Sequence, residues 1–171
     1  MRRPHRRPPE STDPVTFLAP RSTTRHRDHT PENTMSQAYT GGCACGAIRY
    51  EITGEPVFMN DCQCRDCQRK SGTGHGSYLT FPREGVRLEG GATHWDIVAD
   101  NGKVKTRAFC PTCGSPVYMT FAENPGVFTV HAASLDDPAR YRPQAVTYAM
   151  RGHAWDHLDP ALTRFQAMPT G

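Results

Sequence analysis

Long apolar runs are missing from this chain. No stretch of its 171 residues stays hydrophobic for more than a few positions, well short of the roughly 18–20 that a bilayer-crossing helix needs. A soluble protein without a membrane role is therefore expected. Residues 1–20 carry an Arg2-Arg3 pair but neither a continuous apolar segment nor a small-residue cleavage site, so export is not expected and the chain reads as cytoplasmic. Apolar residues make up only 36% of the whole, against 15 Gly and 15 Pro, which disfavours a bundle of long helices. No repeat of fixed period is present. The length leaves room for one domain rather than two. Cysteine is too sparse for a disulfide scaffold, and its count of seven is odd. Thiol chemistry in a reducing compartment fits better.

The net charge of +3 is not spread evenly. Residues 1–34 hold seven Arg against four acids, whereas residues 35–171 hold thirteen Lys or Arg against thirteen acids. The first segment also contains six of the Pro and three of the His. It has almost no apolar periodicity with which to offset its ordering entropy, and is expected to be a disordered Arg/Pro-rich extension. An electrostatic arm for nucleic acid is the competing reading, but Glu10, Asp13, Asp28 and Glu32 interrupt its basic runs, so no nucleic-acid partner is expected.

From Met35 onward apolar residues alternate in short pieces. Ile48, Tyr50 and Ile52 share one face against Arg49 and Glu51, which predicts a half-buried strand. The same period places strands at 104–109 and 117–121, with Val104, Thr106 and Ala108 on the inner face of the first. Further strands are expected near 77–81, 86–89, 127–132 and 145–150. Gly85, Gly90-Gly91, Asn101-Gly102 and Asn124-Pro125-Gly126 punctuate them. Two places invite helix, one between Leu135 and Tyr141 and one where Asp159 precedes Pro160. The reading is mostly β: short antiparallel sheets in a single domain over residues 35–171, with little helix.

All seven cysteines fall between residues 43 and 113, in three clusters: Cys43-Ala44-Cys45, Cys62-Gln63-Cys64-Arg65-Asp66-Cys67 and Cys110-Pro111-Thr112-Cys113. Thiolates one or two residues apart converge on one ion, and Gly46 and Gly114 follow two of the clusters directly, as the reversed backbone of a zinc knuckle requires. Cys43, Cys45, Cys110 and Cys113 would make a closed structural site. Cys62, Cys64 and Cys67 would leave one coordination position open, the mark of a catalytic zinc. Two zinc ions per chain then use every cysteine, although the spacing leaves an exchange of partners among the clusters open. Zinc is favoured over iron because plant-type ferredoxin spacing is absent.

The runs Gly41–Tyr50, Cys62–Gly72 and Phe109–Ser115 resemble those of the glutathione-dependent formaldehyde-activating enzymes and their centromere-protein-V relatives. Ala133–Pro138 and Trp155 extend the likeness, which covers about residues 39–160. The resemblance implies an Mss4-like zinc fold, the four-cysteine structural zinc, and a second zinc on Cys62, Cys64 and Cys67. It implies addition of the glutathione thiol to formaldehyde, giving S-(hydroxymethyl)glutathione. Many relatives carry a His shortly after the Pro matching Pro143, where Gln144, Ala145 and Val146 stand in this chain.

Arg65, Arg69 and Lys70 flank the three-cysteine cluster and are candidates to receive the carboxylates of an acidic thiol. His75 is a candidate acid-base group or fourth ligand. His153 and His157 have i, i+4 spacing without the intervening Glu of a zinc protease. Three thiolates blunt a zinc ion as a Lewis acid and suit it to holding a substrate thiolate beside an aldehyde. The expected activity is a carbon-sulfur lyase forming or cleaving a thiol-aldehyde adduct, with a small-molecule thiol and aldehyde as partners. A non-catalytic zinc module binding a partner protein is the alternative, and it expects a fourth protein ligand at the three-cysteine site.

Overall fold

The computed structural model describes residues 37–100 and 102–169; the segment assigned as an extension, residues 1–34, lies outside them. Eleven strands and one α-helix follow in chain order: β1 (Tyr39–Gly42), β2 (Arg49–Ile52), β3 (Phe58–Cys62), α1 (Arg65–Ser71), β4 (Gly76–Pro82), β5 (Val86–Glu89), β6 (Thr93–Val98), β7 (Val104–Phe109), β8 (Pro116–Phe121), β9 (Val127–His131), β10 (Ala145–Thr147) and β11 (Thr163–Arg164). A three-stranded sheet has the order β1-β2-β5, and an eight-stranded sheet has the order β11-β10-β3-β4-β9-β8-β7-β6.

Strand alternation explains the small sheet. On β2, Tyr50 and Ile52 are buried while Glu51 is exposed, as period two dictates when one face is covered. The larger sheet departs from that pattern at its centre, where Tyr78 and Leu79 on β4 and Phe128, Thr129 and Val130 on β9 are buried in succession. Such runs mean that material covers both faces. One face meets the small sheet in a core containing Tyr39, Ile48, Ile52, Leu79, Phe81, Phe128 and Val130. A second cluster gathers Tyr78 and Met119 around Cys62, Cys64 and Cys67, with Phe121 and Tyr148 packed against it.

The mostly β expectation holds; β1, β3, β6, β11 and α1 add to the expected elements, and three expected features differ. First, β10 runs parallel to both β3 and β11, while all other pairings are antiparallel. Second, the strand expected over 145–150 ends at Thr147, because Tyr148 takes a left-handed conformation at φ 58° and a 3₁₀ turn, Ala149–Arg151, follows. Third, neither expected helix is an α-helix. Around Pro138–Arg140 there is a 3₁₀ turn capped by Asp137. After Asp159 there is only a turn, in which its carboxylate accepts the Ala161 amide at 2.9 Å.

The α-helix that does form, α1, has seven residues, too few to be stable from propensity alone. Its ends and one face hold it. Cys64 caps the first turn, Gly72 closes the last in a left-handed conformation, and Cys67 and Gln68 are buried. The Gln68 side-chain Nε2 donates to the carbonyls of Gln63 and Arg151, each at 2.9 Å.

Phe128 is fully buried between the sheets, and replacing it with Ala should cost about 3–5 kcal/mol through lost transfer energy and the remaining cavity. A urea titration reads this as a lower midpoint with an unchanged slope.

Candidate metal centres

Two turns build the first centre. After β1 the chain reverses at Cys43–Gly46, with the Cys43 amide donating to the Ile48 carbonyl at 3.0 Å and the Gly46 amide to the Cys43 carbonyl at 3.1 Å. After β7 it reverses again, with the Cys110 amide donating to Ser115 and the Gly114 amide to Cys110, both at 2.9 Å. Gly46 and Gly114 have φ of 78° and 74°, a region that side chains with a Cβ rarely enter. A register shift between Ala108 and Phe109 turns the end of β7 into this second reversal.

The two turns bring Cys43, Cys45, Cys110 and Cys113 together with all four sulfurs within 4.8 Å of one another. Cys43 and Cys45 sulfurs are 3.6 Å apart, and those of Cys45 and Cys110 are 3.7 Å apart. Four ligands at about 2.3 Å around a tetrahedral ion sit about 3.8 Å from each other, so the spacing fits a metal ion. The Ile48 amide donates to Cys43 Sγ at 3.2 Å. Hydrogen bonding from Ser115 brings the Cys113 thiol down to about 5.

The second centre sits where β3 passes into α1. Cys62 ends β3 between Gly76 of β4 and Thr147 of β10. Cys64 caps the helix, its sulfur accepting the Cys67 amide at 3.4 Å, and Cys67 lies in the first helical turn. Their sulfurs lie within 4.8 Å of one another, and all three residues are buried. No other His, Cys, Asp or Glu among the described residues joins the group. Hydrogen bonds with Cys64 and Cys67 push the Cys62 thiol far up, and burial adds to this. The same bonds draw Cys67 far down, helped by the charge of Lys105 and by the Tyr78 hydroxyl. One sulfur can hold negative charge at the expense of its neighbours; three can do so only around a cation.

The surroundings of this centre were not legible as a site in the sequence. Arg107, expected on the outer face of β7, is buried, and its guanidinium donates to the Asp66 carbonyl at 3.4 Å and lies 4.0 Å from Cys67 Sγ. Tyr148, half-buried against the sulfurs, is the one non-glycine residue at positive φ among those described. Such a conformation costs about 1–3 kcal/mol. Both faces of β7 are covered near its end, so Arg107 and Ala108 are buried in succession.

His75 is placed beside the second centre by a different network. Its Nδ1 is 2.8 Å from Asp156 Oδ1 and its Nε2 is 3.7 Å from Asp61 Oδ1. Asp61 also accepts the hydroxyls of Ser77 at 2.6 Å and Tyr141 at 2.9 Å. The imidazole therefore faces two carboxylates and is not part of the sulfur group. His153 stacks on Trp155 and contacts Gln68 Oε1 at 3.2 Å, outside both centres. Gln144, the first of the residues after Pro143, accepts the Met59 amide at 2.8 Å.

A cavity of about 520 Å³ has Cys43, Arg49, Lys70, His75, Ser115 and His131 among its lining residues; Cys62, Cys64 and Cys67 do not line it. Of the three basic candidates only Lys70 reaches it. Arg65 is exposed and donates to Gln68 Oε1 at 3.0 Å, and Arg69 is exposed. Lys70 stands over the Phe109 ring at 4.9 Å, and burial, then Arg107, hold its ammonium below the usual lysine range. His131 stacks edge-on against Tyr78, and burial, reinforced by Lys70 and Arg107, pushes it down to about 3.

The family model described as "Glutathione-dependent formaldehyde-activating enzyme" matches residues 38–151. Among solved structures, the chain is similar to a Rhodobacter sphaeroides protein of known crystal structure. The two are 24% identical, the match covers 57% of this chain and 87% of that one, and the TM-score is 0.45. No helix among the described residues is long and apolar enough to cross a membrane.

The depressed His131 value has a consequence for stability. An unfolded His takes up a proton near pH 6.5, whereas the folded one resists it down to about 3. Between these values the unfolded state binds more protons, so stability falls as pH is lowered, by at most about 1.4 kcal/mol per unit. Urea unfolding at pH 8, 7, 6 and 5 should show a shallower decline for His131→Gln than for the wild type. Thiol protonation affects both proteins alike and cancels in the difference.

Proposed function

This chain belongs to the glutathione-dependent formaldehyde-activating enzyme family, and we propose from that premise that it is a zinc-dependent carbon-sulfur lyase forming or cleaving a thiol-aldehyde adduct. The observation that carries the reading is the second sulfur group: three buried cysteines from β3 and α1, with no fourth His, Cys, Asp or Glu among the described residues. Three thiolates suit a borderline-soft divalent ion and leave a tetrahedral position for substrate. Cys43, Cys45, Cys110 and Cys113 hold the structural zinc, and Cys62, Cys64 and Cys67 hold the catalytic one. When bound there, zinc supplies a coordination position at which a substrate thiol is held as thiolate.

The remaining steps fall to this chain's own residues. The thiol proton leaves to a base, a role we assign to His75, whose Nδ1 lies 2.8 Å from Asp156 Oδ1. The sulfur lone pair then forms the C–S bond, the carbonyl π pair moves to oxygen, and that oxygen takes up a proton. No net oxidation occurs, and reversal breaks the same C–S bond. Lys70 offers its ammonium to a carboxylate of the thiol substrate. Arg65 and Arg69 steer an acidic substrate from the surface. Glutathione and formaldehyde are the assigned pair. We assign this chemistry to the domain over residues 35–171, working in the cytoplasm. The alternative of a partner-binding module expects a fourth protein ligand, and the second sulfur group lacks one among the described residues.

Elemental analysis should return two zinc ions per chain, and the protein should accelerate formation of S-(hydroxymethyl)glutathione over the spontaneous rate in exchange NMR. One zinc per chain, or iron, would overturn the metal assignment. Two zinc ions with no acceleration for glutathione or any other thiol would overturn the lyase.

Replacing Cys110 with Ser should unfold the protein, because the site it closes ties the β1–β2 turn to the β7–β8 turn. Cys64→Ser should stay folded but lose activity by at least about a hundredfold. Circular dichroism and the same NMR assay separate the two, and equal losses of structure would sink the division of labour.

A further inference from the structure

Arg107 is only 7% exposed, and its Nε has no hydrogen-bond partner. Its terminal nitrogens face the Asp66 carbonyl at 3.4 Å and Cys67 Sγ at 4.0 Å. The ion pairs of the described residues join Arg49 to Asp136, Arg151 to Asp100, and His75 to Asp61 and Asp156; Arg107 takes part in none. A guanidinium removed from water without a counter-charge is strongly disfavoured. Among the described residues its guanidinium meets no carboxylate as an ion pair and does meet Cys67 of the sulfur group.

Charge addition shows what that group requires. Three thiolates and a divalent ion carry −1, which Arg107 alone brings to zero. Lys105 stands two residues earlier on β7, with its ammonium 5.9 Å from the Phe121 ring that packs on the sulfurs. With Lys105 included, the local sum before a fourth ligand is +1. An anionic fourth ligand restores neutrality, and a neutral donor such as an imidazole leaves one cationic charge in excess.

We infer that Arg107 is a positioning residue of the three-cysteine site, whose guanidinium makes the open position selective for an anionic sulfur ligand over a neutral nitrogen donor. This rests on the open metal site proposed above and adds the residue that sets its ligand preference. The guanidinium fork also joins the two elements concerned, since Asp66 and Cys67 lie on α1 while Arg107 lies on β7. It therefore acts through the position and charge of Cys67.

The full chain loaded with cobalt(II) tests this directly. Titration with 2-mercaptoethanol and, separately, with imidazole is read from the cobalt absorption bands. In Arg107→Gln, which keeps a donor for the Asp66 carbonyl but no charge, 2-mercaptoethanol affinity should fall roughly tenfold or more while imidazole affinity holds or rises. Arg107→Met should give the same selective loss, and Arg107→Lys should recover most of it. Should one neutral variant fail to fold, the other decides the comparison. An unchanged ratio of thiol to imidazole affinity, or an equal weakening of both, would reduce Arg107 to a structural residue and overturn the inference. Loss of cobalt from this site alone would do the same, making Arg107 a support for the ligand set. Failure of the wild type to bind cobalt at this site, or to bind either probe there, would instead strike the open-site reading itself.

Discussion

Thiolates repel one another, and seven of them are drawn into two small volumes. Within each group the sulfurs lie inside 4.8 Å, a distance at which like charges coexist in a protein only with a cation between them. The opposite displacements of Cys62, held up, and Cys67, drawn down, follow from this repulsion. A metal ion removes the conflict. Much of the local architecture follows from bringing ligands to it: the β1–β2 turn must meet the β7–β8 turn, and β3 must end where α1 begins. The first meeting links residues about seventy positions apart in sequence, and the second links neighbours. A metal at the first therefore closes a long loop, and at the second it organises a short one.

The two groups also sit in different electrical surroundings. At the four-cysteine group Cys45 and Cys113 are exposed, so water and nearby amide and hydroxyl donors can stabilise excess negative charge. At the three-cysteine group all the sulfurs are buried, and the protein itself has to supply that stabilisation. It does so with Arg107 against Cys67 and with Lys105 nearby. The same positive potential, added to burial, keeps His131 neutral and lowers Lys70. Local strain is placed at the buried group too, in the left-handed Tyr148 that packs over it.

What the sequence revealed tracks the range of each interaction. Cysteine clusters and the glycines after them are local signals and were legible from spacing, whereas which clusters share a site is settled only by the turns that bring Cys43 and Cys45 to Cys110 and Cys113. Period-two alternation found the strands with one exposed face, such as β2, and blurred those covered on both, such as β4 and β9. It also misplaced Arg107, because alternation assumes one wet face and β7 has none near its end. The helix α1 escaped because seven residues show no helical period and their stability comes from Gln68 reaching backbone carbonyls on either side. The His75 network was invisible for a further reason: Asp156 stands 81 residues away, a separation that no sequence period encodes.

The parallel strand β10 ties these observations together. An antiparallel partner for β3 could have arrived through a tight turn, but a parallel one needs a long connection, and here the chain lays down β4 to β9 before returning. The return sets Thr147 opposite Cys62 and carries the Gln63 amide into a 2.9 Å hydrogen bond with the Thr147 carbonyl. It delivers Tyr148 onto the sulfurs in the next residue. Farther along, Arg151 gives its carbonyl to Gln68 on α1, and Asp156 meets both His75 and Gln63. The strand β10, between β3 and the edge strand β11, is thus the start of the segment that closes over the second centre. Folding of the edge and assembly of the site become one event, so the buried sulfurs acquire their wall only once most of the β structure is in place.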